Sequence, residues 1–194
     1  MVENLFLGPF HDLGRFISSL VAKPPPTRIT SEEALASARQ ALARDGCDLS
    51  RCTVQNLHSF PVNLEPDDLF DLLLTWRQWP LSSFFPCLLE REQGEIWLEY
   101  RWLKVIPVVV MKLRATQRPR AIIYDIVWGI GPGGYHSFLI GQANLLPTLK
   151  VEAAPTTLSI FTTFPKTRLF PEAVHDQFNY DVYRKLRPAS RIWR

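Results

Sequence analysis

The chain has little of several features that would narrow its function at once. Its 194 residues include three cysteines, Cys47, Cys52 and Cys87, and none of them forms a C-x-x-C pair. An odd number of cysteines without ligand spacing argues against a disulfide framework or a zinc site. We therefore expect reduced thiols and no metal, which favours the cytoplasm or another reducing compartment.

Long apolar runs and a strong excess of one charge are also missing. The apolar N-terminal segment is interrupted by Glu3, Asp12 and Arg15, unlike a signal peptide. No stretch approaches about 18 uncharged apolar residues, so no transmembrane span is predicted. The 22 basic and 19 acidic residues leave a net charge of +3. This balance is too mild to indicate nucleic-acid binding.

What the chain does have is proline, which divides its first fifty residues into three parts. Apolar residues at helical spacing predict a helix over 9–22. Its apolar face must contact the protein's own domain, a protein partner or a membrane surface. Residues 23–28 form a polyproline linker. Thr30 then opens an amphipathic helix that stops at Gly46, so 1–50 is interpreted as a helical extension.

The remaining residues, 51–194, have the pattern of one domain. Seven segments have the composition or the alternation of strands, at 53–60, 88–91, 95–103, 108–116, 121–130, 135–142 and 157–164. Two short helices, the second over 81–86, follow the first strand, and one amphipathic helix over 171–186 follows the last. This order predicts an α+β fold with a seven-stranded antiparallel curved sheet around the C-terminal helix.

The order of elements also resembles a known superfamily. The matching residues are Pro66-Asp-Asp-Leu-Phe70, Trp76-x-x-Trp79-Pro80 and Arg118-Pro-Arg-Ala-Ile-Ile-Tyr124. Over 52–187 the chain is similar to the helix-grip proteins of the START, polyketide-cyclase and plant-allergen (SRPBCC-like) superfamily. The resemblance implies a hydrophobic cavity between sheet and helix, used for lipids, polyketides or other apolar small molecules. It transfers no catalytic residues, because members place them differently.

A glycine-rich stretch allows two interpretations. Gly129-Ile-Gly131-Pro-Gly-Gly134 matches the G-x-G-x-x-G spacing of dinucleotide-binding loops. Such loops need a helix to begin immediately, so that its amide groups hold the pyrophosphate. Here a β-prone segment follows, and Pro132 removes one amide donor. We therefore predict a hairpin turn, compatible with a cavity mouth, and no nucleotide cofactor.

Four residues are candidates for acid–base catalysis. They are Tyr124, Asp125, His58 and His136. Tyr124 and Asp125 are adjacent in one strand, so they point to opposite sheet faces. Tyr124 shares the more apolar face and is expected inside, whereas the reverse phase would make Asp125 a buried acid. Each histidine is either a general base or a structural residue with satisfied hydrogen bonds.

A set of aromatic and apolar side chains is expected to line the cavity. These are Trp102, Met111, Tyr124, Trp128, Phe138, Phe161 and Phe178. The leading hypothesis is binding or transfer of a hydrophobic small molecule, lipid or polyketide-like. One alternative is a cofactor-free cyclase, isomerase or dehydratase of a polyketide or terpenoid. A second is a structural subunit or assembly factor that docks through the 9–22 helix. The sequence leaves open whether the protein is an enzyme.

Overall fold

The computed structural model describes most of the chain from residue 27 onward. The described residues are 27–75, 84–91, 94–102, 105–129, 131–141, 156–166, and positions 175, 176, 179, 180, 182, 183 and 186. The predicted 9–22 helix and Phe178 lie outside them. None of the helices in the described residues has the length and hydropathy needed to cross a membrane.

One antiparallel sheet organises these residues. Its strands are β1 (Arg28–Ile29), β2 (Val54–Val62), β3 (Phe84–Arg91), β4 (Glu95–Trp102), β5 (Ile106–Gln117), β6 (Ala121–Gly129), β7 (Tyr135–Ile140) and β8 (Thr156–Phe164). Their order across the sheet is β1-β2-β8-β7-β6-β5-β4-β3. Two helices interrupt this series, α1 (Glu32–Arg44) and α2 (Pro66–Thr75). The described positions between 175 and 186, all helical, are called the C-terminal helix.

The concave face of the sheet packs against the C-terminal helix. Val182 and Leu186 of the helix are buried in one cluster with side chains from β2, β4, β5, β6, β7 and β8. Tyr183 meets the ring of Phe60 at 4.9 Å between centroids. Alternation along β5 places Val109 and Met111 on this face, each 1% exposed. The chain therefore has the α+β helix-grip fold that its sequence predicts.

The opposite face of the sheet is also covered. Ala34, Ala38 and Leu42 of α1 are buried in a second cluster, together with Ile123 of β6 and Phe161 of β8. The three helix residues recur four apart and form the apolar stripe that the sequence predicts. A helix therefore covers each face of the sheet, α1 on one and the C-terminal helix on the other.

Three local predictions need correction. The seven predicted strands are present, and the two-residue β1, at the end of the predicted linker, adds an eighth by pairing with His58 and Leu57 of β2. Strand β3 begins at Phe84, within the segment predicted as a short helix, 81–86. Pro86 is compatible with β3 because that strand forms an edge of the sheet, where a missing amide costs little. The first helix begins at Glu32 with Ser31 as N-cap, not at Thr30.

The glycine-rich stretch is a hairpin, as predicted. It joins antiparallel β6 and β7, and Ile126 N–H donates to Gly134 O while Gly133 N–H donates to Ile126 O, both at 2.8 Å. Position 134 requires glycine for a steric reason, because a Cβ there would lie 2.3 Å from the carbonyl oxygen of Thr163. Because a strand follows and no helix begins here, the loop lacks the geometry that holds a pyrophosphate.

Candidate functional site

A row of polar side chains crosses the concave face beneath the C-terminal helix. Tyr124 of β6 lies opposite His136 of β7, His136 opposite Thr162 of β8, and Thr162 opposite Asn56 of β2. Directly opposed residues share a sheet face. Adjacent strands lie about 4.8 Å apart, so the row extends over about 14 Å. None of the four residues is more than 2% exposed.

His136 stands in the middle of the row with one ring nitrogen unpaired. Its Nδ1 lies 2.8 Å from Thr162 Oγ1. Its Nε2 has no hydrogen-bond partner among the described residues. Burial, with a smaller contribution from the nearby His175, lowers the pKa of His136 to about 3. The imidazole is therefore neutral at physiological pH and has one free position for hydrogen bonding.

Tyr124 ends the row with an unpaired hydroxyl. The residue is fully buried, and within the described parts of the chain its oxygen meets no donor or acceptor. Burial raises its pKa well above the usual range, so the phenol keeps its proton. Phe138 contacts it edge-on at 6.4 Å between ring centroids. A buried polar group without a partner costs about 1–3 kcal/mol of stability.

A hydrogen-bonded network centred on Asp176 closes the other end of the row. The Asp176 carboxylate accepts from Arg28 Nη1 at 2.7 Å, from His58 Nε2 at 2.9 Å and from the amide of Asn56. Because carboxylate oxygens accept hydrogen bonds, the contact with Asp176 places a proton on His58 Nε2. The hydroxyl of Thr27 forms a hydrogen bond with Nδ1 on the other side of the ring, at 2.9 Å.

The same network fixes the orientation of two amides. Asn56 directs its Nδ2 to Asp176, which leaves its Oδ1 as an acceptor. Asn179 Nδ2 donates to that oxygen at 2.8 Å. The Asn179 Oδ1 atom is consequently an acceptor, and it has no partner in the described part of the chain, where the residue is 0% exposed. The helix therefore contributes one buried acceptor above the polar row.

The structure brings several of the predicted residues together. Tyr124 and His136 are neighbours in the row, and His58 joins its end through Asp176. Met111 and Phe138 belong to the same buried cluster as Tyr124. These side chains share the concave face, so they can contribute to one site.

Other predicted residues lie elsewhere. Asp125 is on the convex face, where its carboxylate lies 3.1 Å from Arg114 Nη1, so it is not a buried acid of this site. Phe161 packs under α1 on that face as well, because its neighbours Ile160 and Thr162 point to the concave side. Trp128 is 54% exposed at the end of β6.

Trp102 also lies at a margin of the sheet. It is the last residue of β4, paired in register with Phe84 and Ile106. Its partner Ile106 is 47% exposed. Trp102 therefore lies at the end of β4, and its strand is two strands away from Tyr124 of the polar row.

Sequence reasoning missed most of the polar network. It did not select Thr27, Arg28, Asn56, Asp176 or Asn179, which lie in three different segments. Two signals were present. Asn56 and His58 alternate with the apolar Leu57 in β2, which places both polar groups on one face. Asp176 and Asn179 are three apart, so they share a helix face.

The described residues hold no group of three His, Cys, Asp or Glu side chains arranged to bind a metal ion. The polar row offers instead a neutral imidazole, a phenol and an amide oxygen. These groups can donate or accept hydrogen bonds without carrying a charge themselves.

Comparison with known proteins gives similarities among solved structures only. No protein-family model matches the chain, and no curated protein does so at a significant level. Protein CV1439 from Chromobacterium violaceum is 11% identical over 69% of this chain and 94% of its own, with a TM-score of 0.47. The Aha1 dimer from Colwellia psychrerythraea is 14% identical over 68% and 89%, with a TM-score of 0.44.

A third similar structure is the di-domain ARO/CYC StfQ from the steffimycin biosynthetic pathway. It is 12% identical over 80% of this chain and 52% of its own, with a TM-score of 0.42. At such identities and TM-scores, the function has to be inferred from the residues of the chain itself.

Proposed function

We propose that the protein binds or transfers a hydrophobic small molecule between the concave face of the sheet and the C-terminal helix. One observation carries the proposal. Three buried polar atoms, Tyr124 Oη, His136 Nε2 and Asn179 Oδ1, have no partner in the described residues and lie among apolar side chains. Buried polar groups in native proteins are nearly always hydrogen-bonded. A ligand with an apolar body and a few polar groups would satisfy them.

The test uses the freshly purified full chain. Native mass spectrometry, followed by extraction into organic solvent, should reveal an apolar molecule that leaves the protein on denaturation. Tyr124→Phe should lower its occupancy, because the hydroxyl that faces the ligand is gone. Tyr135→Phe is the matched control, since that hydroxyl accepts from Asp48 N–H at 3.0 Å outside the site. A protein that retains no ligand and takes up no apolar probe would contradict the proposal.

A cofactor-free cyclase, isomerase or dehydratase of a polyketide or terpenoid is the second candidate. The observation that favours it is the pairing of a protonated phenol, Tyr124, with a neutral imidazole, His136, on adjacent strands. The phenol can donate a hydrogen bond to a carbonyl while Nε2 accepts a proton from the adjacent carbon. That role requires Nδ1–H to donate to Thr162.

Deuterium uptake by a bound ketone separates the two candidate functions, carrier and enzyme. A bound ketone incubated with the protein in D2O should gain deuterium at its α-carbon if His136 acts as the base. His136→Gln should abolish this gain and leave binding of the ketone measurable. Binding without exchange in the unaltered protein would support the carrier and oppose the enzyme.

A further inference from the structure

We propose that the ligand is an uncharged, elongated molecule with a hydroxyl group near Asn179 and a carbonyl oxygen near Tyr124, and that carboxylates are excluded. This inference rests on the proposed function and specifies its ligand class. It depends on which of the unpaired atoms are donors and which are acceptors. The assignment for Asn179 follows from hydrogen bonds of the protein itself, and the assignment for Tyr124 follows from the burial of its unpaired phenol.

The Asn179 end requires a donor from the ligand. The chain of contacts from Asp176 through Asn56 to Asn179 leaves Oδ1 as the unpaired atom. Flipping the Asn179 amide would place its NH2 away from Asn56 and two amide oxygens against each other. A ligand hydroxyl at this position would donate to Oδ1 and complete the hydrogen bonding of the helix.

The Tyr124 end offers a donor to the ligand. Its phenol keeps the proton, and the hydroxyl has no acceptor among the described residues. A carbonyl oxygen is the complementary group. The polar row places Tyr124 three strands away from Asn56, the residue that Asn179 contacts, at about 14 Å between backbones. The ligand's polar groups therefore belong at opposite ends of an apolar body.

In the network that the described residues form, an anionic ligand meets no cation that is not already paired with a carboxylate. Burying a carboxylate without a cation is costly, because the desolvated charge has nothing to replace its water. Arg28 is the guanidinium that contacts this network in the described part of the chain, and Asp176 already pairs with it at 2.7 Å. His136, the central ring, stays neutral above pH 4 or so because burial lowers its pKa. The charge on a ligand therefore decides whether it binds.

Four related naphthalenes test the inference with the full chain. The first is a hydroxy-acetonaphthone with its two groups at opposite ends of the rings. The others replace its methyl ketone by a methyl ester, replace it by a carboxylate, or replace its hydroxyl by methoxy. Calorimetric titration is done at slightly acid pH, where the naphthol is uncharged and the carboxylate is ionised.

The hydroxy ketone and the hydroxy ester should bind with similar Kd. The carboxylate should bind at least about tenfold more weakly, because its charge is not compensated. The methoxy ketone should also bind about tenfold more weakly than the hydroxy ketone, because it cannot donate a hydrogen bond to Asn179. Equal binding of carboxylate and ester would overturn the inference and leave the proposed function standing. Binding of none of the four would overturn both.

Two variants locate the contacts. Asn179→Leu should remove the preference for hydroxyl over methoxy. Tyr124→Phe should weaken the binding of both ketones by a similar factor, and the preference for hydroxyl over methoxy should remain. The second variant retains the shape of its residue, so it remains informative if Asn179→Leu does not fold. A hydroxyl preference that persists in folded Asn179→Leu would contradict the assignment of Oδ1 as the acceptor.

Discussion

Asp176 Oδ1 lies 2.9 Å from His58 Nε2, although 118 residues separate them. The contact joins the C-terminal helix to β2, and Arg28 of β1 adds an ion pair to the same carboxylate. Three segments far apart in the sequence are thus held at one point beside the polar row. The orientation of the Asn179 amide depends on this point through Asn56.

Replacing Asp176 should therefore destabilise the protein. Asp176→Asn removes the carboxylate that pairs with Arg28, whose side chain is 19% exposed, and gives His58 a neutral amide in its place. Breaking a buried pair from one side costs about 3 kcal/mol. Urea unfolding should show a decrease of this size in the unfolding free energy.

The matched control is Asp125→Asn, which removes a carboxylate from the convex face. Asp125 and Arg114 are each about one-third exposed, so water and salt screen their ion pair. The loss should stay below about 1 kcal/mol. If the two substitutions cost the same, the network around Asp176 does not stabilise the attachment of the helix.

Tyr124→Phe should leave the stability of the empty protein unchanged or raise it by up to about 1 kcal/mol, because it removes a buried hydroxyl without a partner. The measurement is urea unfolding of protein refolded from denaturant, which is free of ligand. Tyr135→Phe should instead lower stability slightly, since its hydroxyl accepts from Asp48 N–H. A clear destabilisation by Tyr124→Phe would mean that the hydroxyl is already paired in the empty protein.

The sequence predicts the order of the elements well, because the signals for them are local. The glycine hairpin and the alternation along β5 identify strands without knowledge of their partners. The inward position of Tyr124 follows from its apolar neighbours Ile122 and Ile126, and the structure confirms it.

The sequence does not show which residues of β8 face the C-terminal helix and which face α1. Leu158, Ser159, Ile160, Phe161 and Thr162 are all buried, since helices cover both faces of the sheet. Alternation between apolar and polar residues then carries no information about the inner face. Phe161 was consequently assigned to the wrong side.

The polar site was the part least accessible from sequence. Its contacts join residues such as Arg28 and Asp176, 148 positions apart. No local pattern specifies that pairing, because each residue is common on helix or strand surfaces.

The position of α1 on the convex face predicts unequal effects of two identical substitutions. Ala38 is fully buried in the cluster with Ile123 and Phe161, so Ala38→Leu should cost about 1–3 kcal/mol through overpacking. Ala36 lies on the exposed side of the same helix, and Ala36→Leu should change stability by less than about 0.5 kcal/mol. Equal effects would mean that residues 1–50 behave as a detached extension, as the domain boundary near residue 50 implies.

The buried His136 predicts a pH dependence of stability. Burial, then His175, lowers its pKa to about 3 from an unfolded value of 6.5. Between these values the unfolded chain binds a proton that the folded chain does not, so stability is present above pH 6.5 and is lost as the pH falls toward 3. The slope from one such group approaches about 1.4 kcal/mol per pH unit. His136→Gln should reduce the pH slope of the unfolding free energy, measured from pH 6.5 to 4.5, by nearly this amount. An unchanged slope would show that His136 takes up its proton without unfolding.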